Sequence, residues 1–146
     1  MKIEFIKDPT QTECKLALIA AEETPETHEI LRELERLYSE EINGWRGECV
    51  ELLRQSEVLR VYAEGQHVWA QTEKGIYLLR ARLYEMEARL DPKRFVRISK
   101  CEIVNLNRIL RLDVSLSGSI GVILEGDVKT YTSRRYMKKL KDALGV

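Results

Sequence analysis

Short apolar runs separated by polar breaks dominate this chain, and their spacing changes along it. Lys2-Ile3-Glu4-Phe5-Ile6-Lys7 alternates loosely and Lys15-Leu16-Ala17-Leu18-Ile19-Ala20 is an apolar run, so both predict strands, with Asp8–Thr12 as the loop between them. The period then becomes helical. Ile30, Leu31, Leu34, Leu37 and Tyr38 line one face of a predicted helix whose outer face is acidic. Thr24 is placed to N-cap it, Pro25 suits the first helical position, and Glu26 meets the positive end of the dipole. Asn43-Gly44 reads as its end.

From residue 45 the strand period returns. Cys49–Leu53 and Val58–Ala63 are predicted strands, and Glu64-Gly65-Gln66 turns the second into His67–Thr72. Glu73-Lys74-Gly75 leads into Ile76–Leu79. Leu83, Met86 and Leu90 share one side of a helix over 81–90, which Asp91-Pro92 stops. Phe95–Ile98 and Ile103-Val104 are strands around the polar break Ser99-Lys100-Cys101. Strands at 109–113, 119–124 and 128–132 follow, the last two joined by Glu125-Gly126-Asp127. Ser133 is placed to N-cap a final helix with Tyr136, Met137, Leu140 and Leu144 on its apolar face and Gly145 at its end. The fold class predicted is α+β, mainly antiparallel β with short helices, preceded by a small β-β-α extension. The division expected is 1–45 for the acidic extension and 46–146 for the β-domain.

The chain's 146 residues suffice for a packed core without staples, and 44% apolar with 33% charged content describes a globular protein. No apolar run reaches the ~20 residues of a bilayer span, and the first residues have no signal-peptide pattern. Cys14, Cys49 and Cys101 are too scattered for a zinc site or a disulfide framework, which suits a reducing cytoplasm. Charge is the informative quantity. The net charge is zero, yet residues 1–43 carry 5 Lys and Arg against 11 Asp and Glu, a net of −6, and the remainder carries +6. A basic part of that size points to a polyanionic partner.

Three polar sites fall on turns or a helix start of the β-domain: Gly65-Gln66-His67, Ser99-Lys100-Cys101, and Ser133-Arg134-Arg135 with Lys138 and Lys139 one turn on. Turn tips on a sheet scaffold suit a DNA groove. The arginine fork matches the two acceptors of guanine, and Lys does so less rigidly. The cations also neutralise phosphate.

The run Phe95-Val96-Arg97-Ile98-Ser99-Lys100-Cys101-Glu102-Ile103-Val104-Asn105 closely resembles the F-x-R-x-(H/S)-(R/K)-S-x-(L/I)-V-N signature of the LytTR family of bacterial DNA-binding domains. Ser133-Arg134-Arg135-Tyr136-Met137-Lys138-Lys139-Leu140 resembles that family's second signature. The resemblance covers about residues 46–146. It implies an elongated arrangement of small antiparallel sheets and sequence-specific binding of double-stranded DNA by loops in successive major grooves. It implies base or groove contacts from Lys100, Arg135 and either Gln66 or His67, and phosphate contacts from Ser99, Ser133, Arg134, Lys138 and Lys139. Paired repeats in the DNA and a homodimer on it follow, with no metal or organic cofactor. Residues 1–43 lie outside the domain and lack both a phosphoacceptor pattern and a membrane segment, so the chain looks like a stand-alone cytoplasmic regulator. Its extension is a candidate surface for packing, dimerisation or docking of a controlling membrane protein.

Plainer readings stand beside these. Arg97 is expected to pair with an acid rather than touch DNA. Cys101, where the signature has Ser, is expected to be small and semi-buried, and a redox role would need a stabilised thiolate. Glu102 is expected to point away from the turn, or else to read a cytosine N4. Trp45, Trp69 and Tyr131 are expected in the core or half-buried. His67 alone reads as a surface strand residue, His28 as solvated, and the lysines of the last helix as a solvated face. Nucleotide-binding, zinc-protease and C-x-x-C patterns are absent, so no enzyme is predicted. The alternative function is a protein-interaction module working through the acidic helix. An RNA-binding domain is a third reading, whose mark would be exposed aromatics on a sheet face; it is disfavoured because the aromatics are not expected to cluster with the cations.

Overall fold

The computed structural model describes residues 1–38 and 40–146, the side chains of residues 36–38 excepted. It divides into two compact units, Met1–Leu37 and Tyr38–Val146.

The first unit is built on helix α1 (Pro25–Tyr38). Its start is the predicted one, and the cap is reciprocal. The Thr27 amide donates to Thr24 Oγ1 at 3.2 Å and the Thr24 amide to Thr27 Oγ1 at 2.9 Å, so two amides that the helix leaves unpaired are satisfied. Ile30 and Leu34 are half-buried and Leu31 is 42% exposed. Leu37 and Tyr38, which the spacing adds to this face, have side chains outside the described set. The two strands expected at 2–7 and 15–20 are not formed, so the β-β-α extension is corrected to a helix preceded by irregular chain. An apolar run becomes a strand only with a ladder partner, and a lone two-stranded hairpin is marginal in water. Here Ile3, Phe5, Leu16 and Ile19 all stand out into solvent. The expected turn at Asp8 does form, with the Thr10 amide and hydroxyl and the Gln11 side chain all donating to its carboxylate.

The second unit holds two antiparallel sheets. Strands β1 (Glu41–Arg46), β2 (Cys49–Arg54), β3 (Val58–Glu64), β4 (His67–Thr72), β5 (Gly75–Leu79), β6 (Phe95–Ser99) and β7 (Glu102–Asn105) form a seven-stranded sheet in the order β2-β1-β5-β4-β3-β7-β6. Helix α2 (Leu83–Arg89) interrupts it between β5 and β6. Strands β8 (Ile109–Asp113), β9 (Gly121–Leu124) and β10 (Val128–Tyr131) form a second sheet in the order β10-β9-β8. A 3₁₀ turn, Arg134–Tyr136, and helix α3 (Met137–Leu144) close the chain. The mainly β architecture with short helices is the one the alternation predicted.

Strand β1 is the element that the pattern missed. Asn43-Gly44 was read as a helix end, but both lie inside this strand. Glycine is needed there for packing, because a Cβ on Gly44 would stand 2.6 Å from Leu53 Cδ1 and 2.8 Å from Tyr77 Cβ.

Alternation along the large sheet splits its apolar residues between two cores. On one face Ile42, Leu53, Val61, Val68, Tyr77, Leu79 and Ile103 pack with Leu83, Met86 and Leu90 from α2 and its C-terminal end. On the other, Leu59, Val96, Ile98 and Val104 meet Val122 and Leu124 of the second sheet, Ile120 just ahead of β9, and Leu140 of α3. Each such side chain contributes about 1.5–3 kcal/mol by leaving water. Asn105 ties the sheet to the chain beside it. Only 1% exposed, it donates to the Val58 carbonyl at 2.8 Å and accepts from the Asn107 amide at 3.0 Å. The Gly126–Asp127 turn forms as expected, with φ of +75° and +60°.

Candidate nucleic-acid interface

The three polar sites come together at one end of the large sheet, in a row. Strand β3 ends at the Gly65-Gln66 tip and lies beside β7, Tyr62 opposite Glu102, so the hairpin tip and the Ser99–Cys101 turn leave the sheet at the same end. The Ala63 amide donates to the Cys101 carbonyl at 2.8 Å and locks the two together. On the far side of β6 the Ser133 amide donates to the Ile98 carbonyl at 2.9 Å, which seats the start of the last helix beside the same turn. The sheet order β4-β3-β7-β6 therefore sets the order tip, turn, helix start. Adjacent strands are about 4.8 Å apart, so tip and turn stand on the order of 10 Å from one another.

Side-chain exposure differs within the row. Gln66, His67, Lys100, Ser133, Arg134, Arg135, Lys138 and Lys139 are exposed, and Ser99 is half-buried. Gln66 and His67 are both exposed, and the His67 and Trp69 rings meet in a T-shaped contact with centroids 6.0 Å apart. Ser133 differs from expectation. Its side chain makes no cap hydrogen bond; the Tyr136 amide, from which such a cap would accept, donates instead to the Ser133 carbonyl in a 3₁₀ turn. The α-helix proper begins at Met137, and its buried anchor is Leu140. Gly145 ends it in the left-handed conformation, as predicted. Arg134 lies against Gly118, where a Cβ would come within 2.8 Å of its guanidinium.

Arg97 pairs with an acid, as expected, and also braces the turn. Its Nε donates to the Ser99 carbonyl at 2.8 Å, its Nη2 to the Lys100 carbonyl at 2.5 Å, and its Nη1 to Glu87 Oε2 at 2.5 Å. The Cys101 amide donates to Ser99 Oγ at 3.1 Å. Lys100 is thus carried on a turn whose carbonyls are held from beneath. The acid itself, Glu87 on α2, was not picked out from the sequence.

Glu102 points inward. It is 7% exposed, takes Arg60 Nη1 on one oxygen at 2.6 Å and accepts from the Thr130 hydroxyl on the other. Glu102 therefore points away from the turn, as one expectation had it, and is not placed to read a cytosine. Cys101 is exposed rather than semi-buried. Trp45 and Trp69 are half-buried, as expected, while Tyr131 is 48% exposed. The aromatics do meet cations in space. Arg80 lies 3.5 Å from the centroid of Trp45, Arg60 4.3 Å from that of Tyr62, and Lys129 5.6 Å from that of Tyr131. Those cations sit over the ring faces that a stacked base would need.

The signature turn and the S-R-R run thus lie side by side, and the profile of the LytTr DNA-binding domain matches residues 48–145. The chain belongs to the LytTr DNA-binding domain family. A solved LytTr DNA-binding domain, from a protein described as a methyl-accepting/DNA response regulator of Bacillus cereus, superimposes with a TM-score of 0.71 at 18% identity. The match covers 74% of this chain and 99% of that one, so the LytTr fold accounts for most of this chain but not for all of it. Relatives in Staphylococcus aureus extend further. Uncharacterized HTH-type transcriptional regulators from strains NCTC 8325 / PS 47 and COL are each 31% identical over 100% of this chain and 99% of their own length. The segment ahead of the LytTr domain is therefore shared with them. Among the described residues, strands separate the three α-helices from one another, so no pair of them forms a helix-turn-helix. No described helix is long and apolar enough to cross a membrane.

Proposed function

We propose that this chain is a transcription regulator that binds double-stranded DNA sequence-specifically, presenting a row of loops to successive major grooves. The observation that carries the reading is the convergence of three polar turn sites, two of them bearing Lys or Arg and all far apart in sequence, at one end of a single sheet. In this reading Lys100, Arg135 and either Gln66 or His67 reach base edges. Ser99, Ser133, Arg134, Lys138 and Lys139 take phosphates. Membership of the LytTr family and the regulator names of its relatives support it. The protein acts in the cytoplasm and binds paired repeats as a homodimer. The acidic segment ahead of the sheets offers a surface for dimerisation or for a controlling membrane protein, to which the exposed Leu31 contributes.

The test is selection of duplexes from a random library, followed by fluorescence anisotropy across a salt series. Enrichment of a paired repeat bound with steep salt dependence is expected. Weak binding that is blind to sequence would contradict the reading and favour a protein-interaction role for the acidic helix.

A further inference from the structure

We propose that Glu87 is a positioning residue of the DNA interface, one that fixes the Lys100 turn through Arg97 and restrains sequence-blind binding through Lys139. This rests on the DNA reading above. Glu87 is an acid beside a surface read as polyanion-binding, and its two oxygens face two different cations. Oε2 meets Arg97 Nη1 at 2.5 Å, and Oε1 stands 3.8 Å from Lys139 Nζ.

The two contacts are unequal, and the inequality gives the function. The Arg97 side chain is 15% exposed, and its fork is committed to two turn carbonyls and the carboxylate. A desolvated guanidinium keeps such a partner, because losing it would strand a charge among carbonyls. The Lys139 contact is longer and between groups 53% and 40% exposed, a geometry that holds weakly and yields to a phosphate. Glu87 therefore stays with Arg97 and releases Lys139. Until a duplex seats properly, the carboxylate offsets one interfacial cation. Once it seats, Lys139 transfers to phosphate while the turn under Lys100 keeps its shape.

The opposed effects of Glu87→Gln distinguish this from a merely structural role. Glutamine keeps an acceptor for Arg97 but removes the charge. Affinity for scrambled duplexes should rise about three- to tenfold as one opposing charge leaves the interface. Affinity for the selected duplex should rise less, because a charge-assisted bond holding the turn becomes a neutral one. The specificity ratio therefore falls. Arg97→Lys conserves charge but cannot span two carbonyls and a carboxylate. It should lower affinity for the selected duplex about tenfold, with scrambled-duplex affinity and salt slope as in the parent.

The experiment is anisotropy of the full chain and these two variants on selected and scrambled duplexes, with thermal melts as the fold control. In a Lys139→Gln background, Glu87→Gln should no longer raise affinity for scrambled duplexes above that of Lys139→Gln alone. An unchanged or raised specificity ratio in Glu87→Gln, or a rise that survives Lys139→Gln, overturns the assignment. A parent that prefers no duplex overturns the DNA reading instead, so the two failures are distinct.

Discussion

Substituting Glu102 tests how the two sheets are joined. Its carboxylate links three strands, because Arg60 comes from β3, Glu102 from β7 and Thr130 from β10 of the second sheet. Removing one partner of a buried ion pair costs about 3–5 kcal/mol, because the other charge is left uncompensated. Two features lower that figure here. The Arg60 side chain is 22% exposed, and it keeps a bond to Gln71 Oε1 at 2.7 Å and the face of Tyr62. Glu102→Gln, which preserves shape and leaves an acceptor for Thr130, should therefore cost about 2–3 kcal/mol. For a domain of this size that lowers Tm by roughly 4–12 °C. Urea unfolding followed by tryptophan fluorescence measures it, with the loss in midpoint and an unchanged slope. The double variant Arg60→Met with Glu102→Leu removes both charges and should recover most of the loss. A cost below about 1 kcal/mol, or a double variant less stable than the parent by the full sum of the two single losses, would refute the reasoning.

Other outcomes follow from the same geometry. Leu140→Ala, at the fully buried anchor of α3, should cost about 2–5 kcal/mol in urea unfolding and weaken binding of any duplex, since Lys138 and Lys139 ride on that helix. Gly44→Ala should cost about 1–3 kcal/mol, because its methyl would overlap Leu53 and Tyr77, and a variant as stable as the parent would remove the packing argument for that glycine. A hydrogen bond to the Glu51 carboxylate, with burial adding to it, raises the Tyr77 pKa above its ordinary value near 10. The folded state holds this proton more tightly than the unfolded chain. The resulting stability is therefore complete below about pH 10 and is lost as pH rises through the raised value, and Tyr77→Phe should flatten that alkaline limb of unfolding free energy against pH.

The elements that were legible in sequence are those whose signal is local. Alternation placed β3, β4, β6 and β7, because each residue's face is set by its neighbours two positions away. Thr24 and Gly145 marked helix ends, because caps act within one turn. Asn43-Gly44 misled because the same dipeptide serves a helix end and a crowded strand. Only Leu53 and Tyr77, brought in by pairing, decide between them. The strands expected near the N-terminus failed for the complementary reason, since an apolar run says nothing about whether a partner edge exists. At the site, the sequence placed Lys100 and Arg135 on exposed turns and allowed Glu102 to point away from its turn, while the partners of the acids behind the turns were not legible. That Arg97 needs a partner follows from its place between buried strands. That the partner is Glu87, and that Glu102 turns inward to Arg60, depends on contacts across 10 and 42 positions.

In the proposed mode of binding, loops at one end of the sheet read bases. The most direct test pairs Arg135→Ala with every single base-pair substitution of the selected duplex, measured by anisotropy at fixed salt. The account predicts a loss of about 1–3 kcal/mol on the selected duplex and, in the variant, indifference at one base pair with discrimination kept at the others. An even loss across all the duplexes, with the parent's pattern of discrimination intact, would contradict it.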